Sequence, residues 1–137
     1  MLLAKLQSMT TTERRALAPG LARLLVARLF LVFGIRNTSR WLGRINKRAQ
    51  APFDSRLWEA RGRVVKGLSA RLPGMACLTQ SLALRWWMRA DGLEARMKIG
   101  VRQVQEQLKS HAWVELEGKA IAESGDNIRQ FRVIETY

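Results

Sequence analysis

In Leu72-Pro73-Gly74-Met75-Ala76-Cys77-Leu78-Thr79-Gln80-Ser81-Leu82-Ala83-Leu84 a Pro-Gly break runs straight into an amphipathic stretch that opens on the only cysteine of the chain. Leu78, Leu82 and Trp86 recur at helical spacing and predict a helix over residues 76–90, with Gly92 placed to end it. Cys77 then sits in the first turn. There its sulfur meets backbone N–H groups that have no intrahelical acceptor, and the positive end of the helix dipole. Both favour the thiolate over the thiol.

Downstream the period changes from helix to strand. Ala95, Met97, Ile99 and Val101 alternate with Arg96, Lys98 and Arg102, the pattern of a half-buried strand. The polar residues 103–109 read as a loop beside the site. Lys109-Ser110-His111-Ala112-Trp113-Val114-Glu115-Leu116-Glu117 alternates again and carries the only histidine. A hairpin turn follows near Glu117-Gly118, residues 120–123 return, and residues 130–134 offer a last strand. The pair Trp86 and Trp87 is expected to pack the sheet behind the site. A free cysteine is more often a small buried hydrophobe than a nucleophile, so Cys77 alone would mean little. A cysteine at a helix start with a downstream strand histidine is the minimum apparatus of a cysteine nucleophile and its base.

Upstream the chain reads as several short helices. Thr10 and Glu13 have capping-box spacing and open a helix expected to stop before Pro19-Gly20. A second helix should run through Phe33, with Leu21, Leu24, Leu25, Leu29, Val32 and Phe33 as its apolar stripe and Gly34 at its end. Arg23 and Arg28 interrupt that run, and a membrane span needs about 20 mostly apolar residues, so no transmembrane segment is expected. Asn37 to Ser39 is placed to cap a third helix bearing Trp41 and Ile45. Pro52-Phe53-Asp54 starts a fourth with Leu57, Val64, Val65 and Leu68.

A chain of 137 residues is one domain with a modest core, too short for a two-lobed papain-type enzyme. Its 47% hydrophobic residues and five tryptophans argue for a folded protein. The single cysteine excludes an internal disulfide and suits a reducing cytoplasm; no secretory or lipidation signal is expected. The net charge of +13 is uneven: fifteen Lys or Arg against three acids in residues 1–72 leave +12, and nine against eight in residues 73–137 leave +1. A basic helical region, 1–72, thus precedes a nearly neutral unit, 73–137, the two forming one compact domain. The basic face suits docking of an acidic partner or peptide, or of an anionic membrane, and gives no reason for specific nucleic-acid binding. A solvated helix surface would look the same. One His and one Cys without ligand spacing make a poor zinc site, so neither metal nor other cofactor is expected.

The block Cys77-Leu-x-Gln-Ser-Leu-Ala-Leu, the strand Leu93-Glu94-Ala95-Arg96-Met97-Lys98-Ile99-Gly100-Val101 and His111-Ala112-Trp113-Val114-Glu115 before Gly118 recur in this order and spacing in a known family. Over residues 73–134 the chain resembles the transglutaminase-like cysteine proteases of lasso-peptide biosynthesis, the leader peptidases or B proteins. The resemblance implies an α+β fold, with the amino-terminal helices followed by a papain-like helix and a small antiparallel sheet. It implies removal of the leader from a ribosomally made precursor peptide, through a Cys-His-acid triad and a thioester. The freed amine would then pass to a separate lasso cyclase. Nothing in the chain looks like the leader-recognition domain of that family, so a separate recognition protein is implied.

The family's third catalytic member is an aspartate on the strand after the histidine, and the position matching it is Glu123. Glutamate can also orient the imidazole and stabilise the imidazolium. Register provides a check: a two-residue turn at Glu117-Gly118 would place Glu123 on the face opposite His111, and a three-residue turn or a bulge would place both on one face. Asp126, in Ser124-Gly125-Asp126-Asn127, is the reserve candidate, although the tetrapeptide is also an ordinary turn. The residues by themselves allow acyl transfer to an amine, as in transglutaminases and acetyltransferases. A basic adaptor in which Cys77 and His111 merely pack is the alternative of a different class.

Overall fold

The structure is a computed structural model and describes residues 2–44, 52–74 and 76–137. A short helix, α1 (Leu2–Ser8), leads into α2 (Thr11–Phe30), which Thr10 and Glu13 open with the reciprocal hydrogen bonds of a capping box. The helix does not stop at Pro19-Gly20. Gly20 is buried where an added Cβ would lie 3.7 Å from Leu68, Trp87 and Val65, so this turn is held by packing against the rest of the domain. The acceptor left without a donor by Pro19 belongs to Arg15, an exposed residue where water can reach it. A 3-10 turn at Leu31–Phe33 and Gly34, at φ 91°, end the run.

One consequence concerns length. With no break at Pro19, residues Thr11–Phe33 form one 23-residue helical run containing an 18-residue window of mean hydropathy 1.8, long and apolar enough by size and composition to cross a membrane. The expectation that it would be too short is corrected. Only 22% of that window is buried, but the buried positions Ala16, Gly20, Leu24 and Ala27 form the stripe that joins the core. Arg23 is also not the surface cation its sequence setting suggests: its guanidinium lies 4.8 Å from the Trp87 ring centre and 5.3 Å from that of Trp86.

Helix α3 (Ile35–Arg44) starts two residues before the expected cap. Thr38 lies inside it, fully buried, its hydroxyl donating to the carbonyls of Phe30 and Gly34. Ile45 lies outside the described residues. In α4 (Ser55–Arg71) the carboxylate of Asp54 accepts from the N–H groups of Arg56 and Leu57 and so caps the start, as Pro52-Phe53-Asp54 predicts. Helix α5, which begins at the only cysteine, is Cys77–Ala90, and Gly92 follows it at φ 83°.

The sheet is antiparallel, in the order β3-β2-β1-β4: β1 (Arg96–Val104), β2 (Gln107–Leu116), β3 (Lys119–Ala120) and β4 (Arg132–Thr136). Residues 103–109 are not a loop. Val104 pairs with Gln107 across a two-residue turn with Gln105 at φ 56°, so both strands continue almost to the tip. A one-turn helix, α6 (Gly125–Ile128), connects β3 to β4.

Helices from both sides of the Pro73-Gly74 break bury one common core. Leu24 and Ala27 of α2, Trp58, Val64 and Val65 of α4, and Leu82, Ala83 and Met88 of α5 meet Met97 of β1 and Val114 of β2. Trp87 is part of the common core, and its ring partners among the described residues lie on the helices. It meets Trp58 edge to face, with ring centres 6.0 Å apart, and the Arg61 guanidinium lies 4.6 Å from its centre. The aromatic pair therefore joins α5 to α4, while Gln80, Ser81 and Leu84 of α5 lie beside Trp113 and Val114 of β2. The fold is α+β, with helices first and a small antiparallel sheet after them.

Candidate active site

Helix α5 places Cys77 at its first position, where Ala76 has no side chain able to cap the exposed N–H groups. The thiol fills part of that gap. It lies close enough to the His111 side chain and to the backbone N–H groups of Ala112 and Leu78 for each to favour the thiolate. Its pKa is lowered, chiefly by the hydrogen bond with His111; burial opposes the shift, and the two backbone donors and the His111 charge add to it. The residue is half-buried.

His111 sits on β2 opposite Gly100 of β1. Its Nε2 is 2.9 Å from Oε1 of Glu123, which leaves Nδ1 as the ring nitrogen for the thiol. The imidazole pKa is pushed up to about 9 from 6.5 by the hydrogen bonds to Cys77 and then Glu123, with burial opposing. On its flanks the ring stacks against Trp113, centres 6.0 Å apart, and meets Phe131 at 5.5 Å. Gly100 makes this enclosure possible: a Cβ there would lie 2.8 Å from both Phe131 and Trp113.

Glu123 is held more tightly than either partner, with 6% of its side chain exposed against 22% for His111. Burial favours its neutral form, yet the hydrogen bonds from His111 and Lys66 and their charges outweigh burial and lower its pKa. Lys66 Nζ lies 3.0 Å from the same Oε1. Asp126 is elsewhere: its side chain is 91% exposed and pairs with Arg129 at 3.4 Å. Of the two acids considered, only Glu123 meets His111.

Of the two ways expected to bring Glu123 onto the His111 face, a longer turn or a bulge, the structure has the bulge. The turn at Glu117-Gly118 is the tight two-residue one, both residues having positive φ, and Leu116 pairs with Lys119. Regular continuation would turn Glu123 away from His111. Pairing continues only to Ile121, whose N–H donates to Val114 O at 2.9 Å, and Ala122 then adopts φ 54°. That single left-handed residue reverses the side-chain alternation and returns Glu123 to the histidine face. The bulge lies in the returning segment, not in the turn.

Lys66, Trp113, Phe131 and Gly100 were not singled out as site residues by their sequence pattern. Gly100 had a usable signal, since an isolated glycine within a strand marks a close approach. Among the described residues no group of three His, Cys, Asp or Glu side chains is placed to hold a metal ion. What the arrangement can do chemically is stabilise a thiolate-imidazolium pair at a helix start, with backbone donors beside the sulfur.

No curated protein and no solved structure matched this chain. Comparison with protein-family models matched residues 21–136, which extends well before the Pro73-Gly74 break and takes in α3, α4 and half of α2. That match spans most of the chain, and the protein belongs to the transglutaminase-like superfamily.

Proposed function

We propose that this protein is a cysteine peptidase that removes the leader from a lasso-peptide precursor, with Cys77 as nucleophile, His111 as acid-base and Glu123 as the group that orients and stabilises the imidazolium. The observation that carries this reading is the contact of His111 with both the Cys77 thiol and the Glu123 carboxylate. Superfamily membership supports acyl chemistry through a cysteine. The choice of a leader peptide rests on the resemblance of the Cys77, Leu93 and His111 blocks to the lasso leader peptidases.

In this mechanism the Cys77 thiolate attacks the carbonyl carbon of the bond joining leader to core. The developing oxyanion is met by backbone N–H groups at the start of α5. The imidazolium of His111 gives its proton to the departing amine, the C–N bond breaks, and the leader remains as a thioester on Cys77. His111 then takes a proton from water, hydroxide adds to the thioester, and the leader carboxylate leaves as the thiolate returns. The core departs with a free α-amine, the group a separate ATP-dependent lasso cyclase would join to an Asp or Glu side chain. An open cleft of about 510 Å³ lined by Arg102, Leu108, Gln130 and Arg132 lies toward the tip of the β1-β2 hairpin and would give room for peptide. Arg102 lies over Phe131, the ring that meets His111. A separate recognition protein would present the leader, and a free-thiol nucleophile suits a reducing cytoplasm.

The test is incubation with a candidate precursor and its recognition partner, followed by mass analysis. Release of leader and core by the wild type, abolished in a folded Cys77→Ala variant, is the expected result. Cleavage by Cys77→Ala would end the proposal, and a product joined to an added amine would assign the protein to acyl transfer instead.

A further inference from the structure

We infer that Glu59 and Gly62 of α4 are positioning residues for Glu123, holding the left-handed turn at Ala122 that directs the carboxylate to His111. The inference rests on the proposal that Glu123 is the third member of the triad, and adds how a non-glycine residue is kept in a conformation it rarely adopts. Alanine at φ 54° is strained by its own Cβ and persists only where surrounding contacts hold it.

Those contacts come from one face of α4, where residues 59, 62 and 66 follow at spacings of three and four. Glu59 Oε2 accepts the Ala122 N–H at 3.0 Å. Lys66 donates to the Ala122 carbonyl while also pairing with Glu123. Both polar groups of the Ala122 backbone are therefore held by α4 side chains. Gly62 lies between them, and a Cβ built on it would fall 2.5 Å from the Ala122 Cβ. That is far inside van der Waals contact, and its partner is a short side chain fixed to the backbone. The helix thus needs glycine here, although glycine weakens a helix interior.

Lys66 touches the carboxylate itself, and its removal would change charge as well as position. Glu59 and Gly62 separate the two effects. The groups that set His111 protonation are Cys77 at the start of α5 and Glu123 after β3, with Lys66 of α4 paired to that carboxylate. Glu59 acts on this set through the backbone of Ala122.

The experiment compares Gly62→Ala with Gly62→Ala/Ala122→Gly, and Glu59→Ala with Glu59→Gln. Because the chain has one histidine and one cysteine, the His111 Cε1 proton and Cys77 alkylation each report on one site. Gly62→Ala should lower the His111 titration midpoint by about 1 unit, the effect of withdrawing a neighbouring opposite charge. It should also reduce leader cleavage by ~10-fold or more, chiefly in kcat. The double variant removes one of the two clashing methyl groups and gives position 122 a residue suited to positive φ, so it should recover most of the midpoint and the rate. Glu59→Ala should shift the midpoint in the same direction, and Glu59→Gln, whose amide oxygen can still accept the N–H, should restore it.

An unchanged His111 midpoint in folded Gly62→Ala and Glu59→Ala would overturn the inference. Failure of the double variant to recover any of the loss would overturn the role of the Gly62-Ala122 contact. Should Gly62→Ala not fold, the two Glu59 variants decide by themselves. The titration needs no substrate, so this outcome stays distinct from that of the peptidase proposal, which stands or falls on cleavage and on Cys77→Ala.

Discussion

Replacing Glu123 by Gln isolates the charge that faces His111, because the amide keeps nearly the same length and shape. In the wild type the His111 pKa is pushed up to about 9 from an ordinary 6.5, and at 1.36 kcal/mol per unit this gap favours the charged ring by about 3 kcal/mol. The Cys77 hydrogen bond is the largest contribution and Glu123 follows, with burial opposing both. Glu123→Gln should therefore lower the midpoint by about 1 unit and leave it above the ordinary value. The single Cε1 resonance measures this directly. The Cys77 thiolate loses part of its counter-ion support, so the alkylation midpoint should rise. Leader cleavage should fall by 10² or more, since the imidazolium forms without a carboxylate behind it.

The same substitution should alter the pH dependence of stability. A histidine whose folded pKa is raised contributes stability that is complete below its unfolded value, about 6.5, and is lost as pH rises through about 9. The wild type should thus exceed Glu123→Gln in unfolding free energy most clearly near pH 6, with the difference shrinking toward pH 9. Denaturant unfolding across this range checks it. A folded Glu123→Gln protein with an unchanged His111 midpoint and unchanged cleavage would refute the assignment, and the site would reduce to a Cys-His dyad.

Asp126→Asn should leave both the His111 midpoint and cleavage near wild type, because its carboxylate is exposed and pairs only with Arg129 among the contacts described; an inactive variant by mass analysis would contradict this. Trp87→Ala should cost about 3–5 kcal/mol in denaturant unfolding by opening the contact between α5 and α4. Charge reversal at Arg15, Arg28 and Arg40, all exposed, should weaken association with the recognition partner or precursor at low salt and matter less at high salt, as titration at two ionic strengths would show. Arg23 does not belong in that set, since its guanidinium packs on Trp86 and Trp87.

Two Pro-Gly pairs show where sequence reasoning succeeds and where it stops. At Pro73-Gly74 the chain breaks, and Gly74, at φ 76°, adopts the left-handed conformation its residue type permits. At Pro19-Gly20 the same dipeptide lies inside a continuous helix, because Gly20 is buried among Leu68, Val65 and Trp87. The local signal was equal at both places. What differs is the presence of a partner surface more than forty positions away, which no window around residue 20 contains. The strand character of β1 and β2 was legible for the opposite reason, since apolar side chains recur at every second residue of those stretches. The polar tip at residues 103–109 was not, because neither of its faces is buried enough to write such a pattern.

The acid of the site combines both lessons. Parity counting from the Glu117-Gly118 turn was sound as far as Ile121, where the N–H to Val114 bond still obeys the tight-turn register. It fails at Ala122 because one left-handed residue adds the extra step that parity counting assigns to the turn. An alanine gives no warning of this, whereas a glycine or asparagine would have suggested it. The warning stood on α4 instead, as a glycine at position 62 between Glu59 and Lys66 in an otherwise regular helix. Its meaning depended on knowing that Ala122 would lie against it. Cys77 and His111 were readable because their chemistry is rare in this chain, but Glu123 could be matched only by family spacing. The contacts that turn it toward His111 come from residues 56 to 63 positions earlier.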